Sequence, residues 1–235
     1  MTLPIDDGDV VDAIDAIHSG DVERLEAVLQ QRPELVTARF GDESMTRTLL
    51  HAVADWPGHF PNGAATVRAL VDAGADPNAR FTGPHRETPL HWAASSDDVE
   101  VLDALLDAGA DIEGDGAVIA GGTALTDATA FGQWNAARRL VERGASAGFW
   151  EASAMGLDDR VRECLDAHPA PARHAITRAF WGACHGGRLS TAQLLLDAGA
   201  DPEWLGWDEL TPLGAAERAG APELVTWLEG VIRSG

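Results

Sequence analysis

Val71-Asp-Ala-Gly-Ala-Asp-Pro-Asn78 is a phrase that this chain repeats: Leu106-Asp-Ala-Gly-Ala-Asp-Ile-Glu113, Val141-Glu-Arg-Gly-Ala-Ser-Ala-Gly148 and Leu196-Asp-Ala-Gly-Ala-Asp-Pro-Glu203 follow it. The first three copies begin 35 residues apart. Self-similarity at a fixed period means a stack of one supersecondary unit, and it outranks any local propensity. A second phrase keeps the same beat, as Thr48-Leu-Leu-His51, Thr88-Pro-Leu-His91, Thr123-Ala-Leu-Thr126 and Thr211-Pro-Leu-Gly214. In Thr88-Pro89 the hydroxyl can accept from the first amides of a helix, and Pro at the first helical position loses no needed donor. Small Ala93 and Ala94 let that helix pack closely, and Val99 to Leu106 is apolar at helical spacing, a second helix. Gly109 follows its last turn, where a left-handed conformation costs Gly little, and Asp111 opens the next turn. The unit is therefore helix, turn, helix and finger.

On this reading 235 residues hold about seven units in a single domain, 1–235. Their spans are 9–39, 40–80, 81–115, 116–148, 149–175, 176–205 and 206–235. The first lacks a leading finger and has an acidic outer side, as a terminal cap should. The second carries an insertion, Asp55-Trp-Pro-Gly-His-Phe-Pro-Asn-Gly63. Repeat four has Ala124 for Pro and Thr126 for His, repeat five loses its finger, and Trp150 and Trp181 stand where the motif has His.

Thr88-Pro-Leu-His-Trp-Ala93 carries the family signature residue for residue, and the chain resembles a stand-alone, bacterial-type ankyrin-repeat protein. The resemblance covers essentially the whole chain. It implies an all-α solenoid of helix-turn-helix units with short β-hairpin-like fingers, and a concave groove, lined by inner helices and finger tips, that binds a protein or peptide. It also implies that His51 and His91 bond back to their own Thr and to neighbouring finger backbone.

Composition narrows the partner. The formal charge is −21 and every one of the 17 basic residues is Arg. Such a chain is a poor match for a phosphate backbone, so nucleic acid is not expected, and a basic protein or peptide is. No apolar run reaches bilayer-spanning length, which argues against a membrane partner. The acidic start and two cysteines at core positions, Cys164 and Cys184, fit a cytoplasmic protein. No Cys-x-x-Cys or paired-His helix spacing is present, so neither a metal nor a cofactor is expected.

Register counting places Asp55, Trp56, Trp92, Ser95, Ser96, Asp127, Phe131, Glu151, Met155, His185 and Arg218 on the inner-helix side of the groove. Arg47, His85, Glu87, Trp207 and Asp208 come from the fingers. Of these, Trp56, His85, Glu87, Trp92, Phe131, His185, Trp207 and Asp208 are the expected binding residues. Most of the eight Trp fit packing roles, whereas Trp56, Trp204 and Trp207 lie in an insertion and a finger, where exposed aromatics mark contact surfaces. An alternative is a small-molecule binder or a metal-independent acid-base enzyme of isomerase, dehydratase or cyclase type. Its catalytic pair would be Asp127 and Glu151, two carboxylates at the register position of Trp92. That alternative gains if the 55–63 insertion folds over the groove and encloses it.

Overall fold

A computed structural model describes residues 1–234. Its contacts divide into two compact units, one from Met1 to Ala145 and one from Ser146 onward. The first holds four helix pairs: α1 (Gly8–Ser19) with α2 (Val22–Gln31), α3 (Leu49–Val53) with α4 (Gly63–Asp72), α5 (Pro89–Ser95) with α6 (Val99–Asp107), and α7 (Ala124–Ala130) with α8 (Trp134–Glu142). The second holds α9 (Phe149–Met155) with α10 (Asp158–Leu165), α11 (Arg173–His185) with α12 (Leu189–Asp197), and α13 (Pro212–Arg218) with α14 (Pro222–Ser234). The architecture is all-α, as the repeats require.

The repeated phrases map onto repeated hydrogen bonds. Each copy of the Gly-Ala step closes its outer helix with a left-handed Gly, at Gly74, Gly109, Gly144 and Gly199. The Ala that follows donates its N–H five residues back, to Leu70, Leu105, Leu140 and Leu195, at 2.9 to 3.1 Å. This 6→1 bond satisfies a carbonyl that the helix end would otherwise leave bare. The inner helices end as regularly. The N–H of Asp21, Asp98, Gln133, Leu157, Arg188 and Ala221 bonds to the carbonyl of Ala16, Ala93, Ala128, Ala152, Ala183 and Ala216 respectively. Those alanines are buried, which is why the position stays small: a larger side chain would hold neighbouring helices apart.

Fingers are joined backbone to backbone in the first unit. Thr46 and Thr82 exchange two 2.9 Å bonds, and Arg86 N–H reaches Gly116 O at 3.2 Å. Arg39 adds bonds from its guanidinium to Thr46 Oγ1 and Arg80 O, and Arg80 repeats the gesture one unit on, toward Arg86 O and Asp115. The first repeat, which lacks a finger of its own, is completed by a two-residue strand. Thr2–Leu3 (β1) pairs parallel with Arg39–Gly41 (β2), which pairs antiparallel with Thr46–Arg47 (β3).

The insertion after α3 does not roof the groove. It is tied at both flanks along the inter-helix turns: Asn62 Nδ2 donates to Gly20 O at 2.9 Å and Phe60 stacks on His18 at 4.1 Å. On the other side His59 N–H donates to Asp98 Oδ2 at 2.7 Å. Trp56, at its start, remains 83% exposed. The loop's polar groups are spent on neighbouring turns.

Candidate functional site

In the first unit the inner helices are positioned from their N-termini. Thr48 and Thr88 cap α3 and α5, each accepting from the third helical N–H, while His51 and His91 reach back to the cap residue. In both, Nδ1 accepts from the Thr backbone N–H and hydroxyl, so the ring proton sits on Nε2. Nε2 then donates forward, from His51 to Glu87 O at 3.3 Å and from His91 to Gly122 O at 3.4 Å. Burial pushes the two imidazoles down, to about 3 for His51 and about 4 for His91, so they are neutral staples.

Those staples fix Glu87, whose carbonyl is held by His51 and whose N-terminal neighbours form the finger. Glu87 is 8% exposed, and its carboxylate accepts from the Trp92 indole. Burial raises its pKa, with the Trp92 bond and nearby His85 pulling the other way. Trp92 packs edge-on to His51 at 5.0 Å and against Phe81 at 5.6 Å. Arg47 lies with its guanidinium carbon 5.8 Å from the Trp92 ring centre and pairs with Asp55 at 2.7 Å. The result is an open hollow of about 380 Å³ with Trp56, Phe81, Trp92, Val118 and Phe131 as apolar wall and Asp55, Glu87, Ser95 and Ser96 as polar rim. Phe131 is 46% exposed, so this wall is offered to solvent.

Four of the eight binding residues expected from the sequence, Trp56, Glu87, Trp92 and Phe131, thus meet in one place. His85 stands beside Glu87 on the same finger, close enough to influence its charge. Phe81 and Val118 were not expected; Phe81 is a lone apolar residue in a polar finger, which is the signal that would have found it, whereas Val118 lies in the apolar run 117–120.

Asp127 does not open on the groove. It is 0% exposed, and its two carboxylate oxygens accept from Val118 N–H and Ile119 N–H, both at 3.3 Å, bracing the finger before α7. Burial, with the charge of Glu87 adding to it, pushes its pKa up to about 7. Glu151 belongs to the second unit, where its Oε2 folds back over the start of α9: a Cβ on Gly148 would lie 2.7 Å from it. This is the acidic third position of a helix start.

The remaining expected residues, His185, Trp207 and Asp208, also lie in the second unit. Trp207 is the hub of an aromatic cluster rather than a free finger-tip contact, edge-on to Trp150 at 5.8 Å, Trp181 at 5.0 Å and Trp204 at 5.7 Å. His185 stacks on Trp181 at 5.4 Å, and Asp208 pairs with Arg218 at 2.5 Å. Among the described residues no helix is long and apolar enough to cross a membrane.

Comparison with known proteins gives a consistent result. Residues 14–115 and 50–148 match the family described as ankyrin repeats (three copies). A relative, the ankyrin repeat and KH domain-containing protein mask-1 of Caenorhabditis elegans, is 33% identical over 141 residues. That stretch is 60% of this chain and 4% of the relative's length. The family match runs through all four helix pairs of the first unit, and the chain belongs to the ankyrin-repeat family, whose repeats are generally protein-protein interaction modules.

Proposed function

We propose that this chain is a binding module that takes a basic segment of a protein or peptide into the groove of its first unit. The observation that carries the reading is the hollow itself: aromatic faces at Trp56, Trp92 and Phe131 beside the carboxylates of Asp55 and Glu87. Arg47 already rests on Trp92 there, so the wall accepts a guanidinium. With a chain charge of −21, approach of a basic segment is steered and salt-sensitive.

Charge alone would attract any cation, so the test uses substitutions that leave it unchanged. Fluorescence anisotropy with a labelled arginine-rich peptide, and a glutamate-rich control, compares the full chain with Trp56→Ala and Phe131→Ala. Both residues are exposed, and each loss is expected to weaken binding roughly tenfold, as for an aromatic anchor at an interface. Affinity that falls with salt but ignores both substitutions would mean diffuse attraction and no groove site.

A further inference from the structure

We propose a second binding site, in the second unit, for a small oxyanion, a carboxylate or phosphate, carried on a flat ring. The site is the hollow of about 440 Å³ lined by Arg173, His174, Thr177, Arg178, Asp201 and Trp204. That volume falls within the range of small-molecule sites.

Two arginines border this hollow, in a chain where acidic residues outnumber Arg by 38 to 17 and most Arg have a carboxylate partner. In the second unit Arg160, Arg162, Arg218 and Arg233 each have one. Arg173 and Arg178 make no salt bridge among the described residues, although both border the same hollow. They are held by neutral groups instead: Arg173 Nε donates to Gly199 O at 3.1 Å, and the Arg178 guanidinium lies 5.2 Å from the Trp207 ring centre. Each is oriented without being neutralised. The one carboxylate on the rim, Asp201, is turned to its own loop, where Oδ1 accepts from Glu203 N–H at 3.0 Å; its backbone N–H is fixed by Thr177 Oγ1 at 3.1 Å.

The placement carries a local cost that an anion would remove. Arg173 and His174 occupy the first turn of α11, where the helix dipole disfavours positive charge, and no acidic residue stands there to offset it. His174 and Arg178 are one turn apart on a single face of α11, and both line the hollow. Trp204 supplies the flat wall, kept in place by its edge-on contact with Trp207 at 5.7 Å. A guanidinium recognises a carboxylate or phosphate through paired N–H donors, and the indole face takes the ring. The acidity of the rest of the chain favours a small ligand over a polyanion.

The test is a titration of the full chain with phenyl phosphate, benzoate, inorganic phosphate and benzylamine. It follows the Trp204 indole N–H resonance, assigned with Trp204→Phe. Saturable shifts are expected with phenyl phosphate and benzoate, smaller ones with inorganic phosphate, and none with benzylamine. Arg173→Gln and Arg178→Gln are each expected to weaken the first two by roughly tenfold, the loss of one charge-assisted contact. Arg173 is exposed, so its variant reads the site even if Arg178→Gln disturbs the Trp cluster. Absence of a saturable shift up to about 10 mM, or affinities unchanged in Arg173→Gln, would overturn the site. Inorganic phosphate binding as tightly as phenyl phosphate would overturn the planar ligand.

Discussion

The two units solve one problem, fastening each inner helix to the next finger, with different side chains. In the first unit the fastener is imidazole: His51 and His91 each bond the carbonyl of the residue just before the next capping Thr. In the second unit Trp181 does this, its indole N–H donating to Leu210 O at 2.8 Å, again one residue before the capping Thr211. The replacement keeps the forward bond and gives up the backward one, since indole has a donor and no acceptor. It compensates with apolar bulk, drawing Trp204 and Trp207 over the finger. Gly206 is required there, because a Cβ on it would lie 2.5 Å from Trp181 Nε1. Trp150, which occupies the same register, fails to find a carbonyl. Counting back from Ala183 puts that carbonyl at Thr177, inside α11, where the helix uses it. Trp150 Nε1 is accordingly buried with no hydrogen-bond partner among the described residues. Fastening therefore depends as much on the finger that receives the bond as on the side chain that makes it.

The sharpest way to break this comparison is to remove the Trp181 fastener. Trp181→Ala is expected to cost the second unit about 3 to 5 kcal/mol, through lost packing and the lost indole bond to Leu210 O, read by urea unfolding. A loss under about 1 kcal/mol would mean the indole is a passenger.

Acid separates the units next. His51 and His91 have folded pKa values depressed to about 3 and about 4, so their contribution is whole above about 6.5 and declines as pH falls toward 4. Trp181 has no such proton. Hydrogen exchange corrected for intrinsic pH dependence is expected to show the first unit losing about 4 kcal/mol of protection between pH 6.5 and 4.5 by this route, about 2 from each histidine. A His51→Gln/His91→Gln variant should flatten the profile. Asp127 works in the opposite sense. Its raised pKa of about 7 gives a contribution present below the ordinary carboxylate range and lost as pH rises through 7. Asp127→Asn should therefore stabilise the first unit most at pH 8, and a larger gain at pH 5 would reverse the assigned sign.

The smallest effect is the most telling. Trp150→Phe deletes a donor that has no acceptor and keeps most of the ring, so stability should change by no more than about 1 kcal/mol, in either direction. Trp181→Phe, the same chemical change, should cost about 0.5 to 1.5 kcal/mol more than that, because it removes the 2.8 Å bond to Leu210 O. Equal costs in the two thermal melts would end the argument that receiving fingers decide.

The helices, fingers and capping residues were legible because each is written as a local phrase at a fixed period, and local hydrogen bonds follow from local sequence. The walls at Trp56, Trp92 and Phe131 were legible for the same reason, since register alone sets which face they occupy. What register does not set is depth. Asp127 shares a position with Trp92, yet two backbone N–H groups from the preceding finger pull it inward, and nothing in its own helix shows that. Trp207 was read as a finger tip because the aromatic rings that gather on it come from 150, 181 and 204, far apart in sequence. The path of the insertion was equally invisible, being decided by acceptors at Gly20, Ser96 and Asp98.

That insertion changes how the first unit should come apart. An array joined only through neighbouring interfaces unzips from its ends, one repeat at a time. The 55–63 segment grips the turn of the repeat before it through Asn62 and Phe60 and the turn of the repeat after it through His59. Both couplings around repeat two are strengthened by a single piece of chain. Fraying from the N-terminus should stall there, and the first three repeats should open as one block.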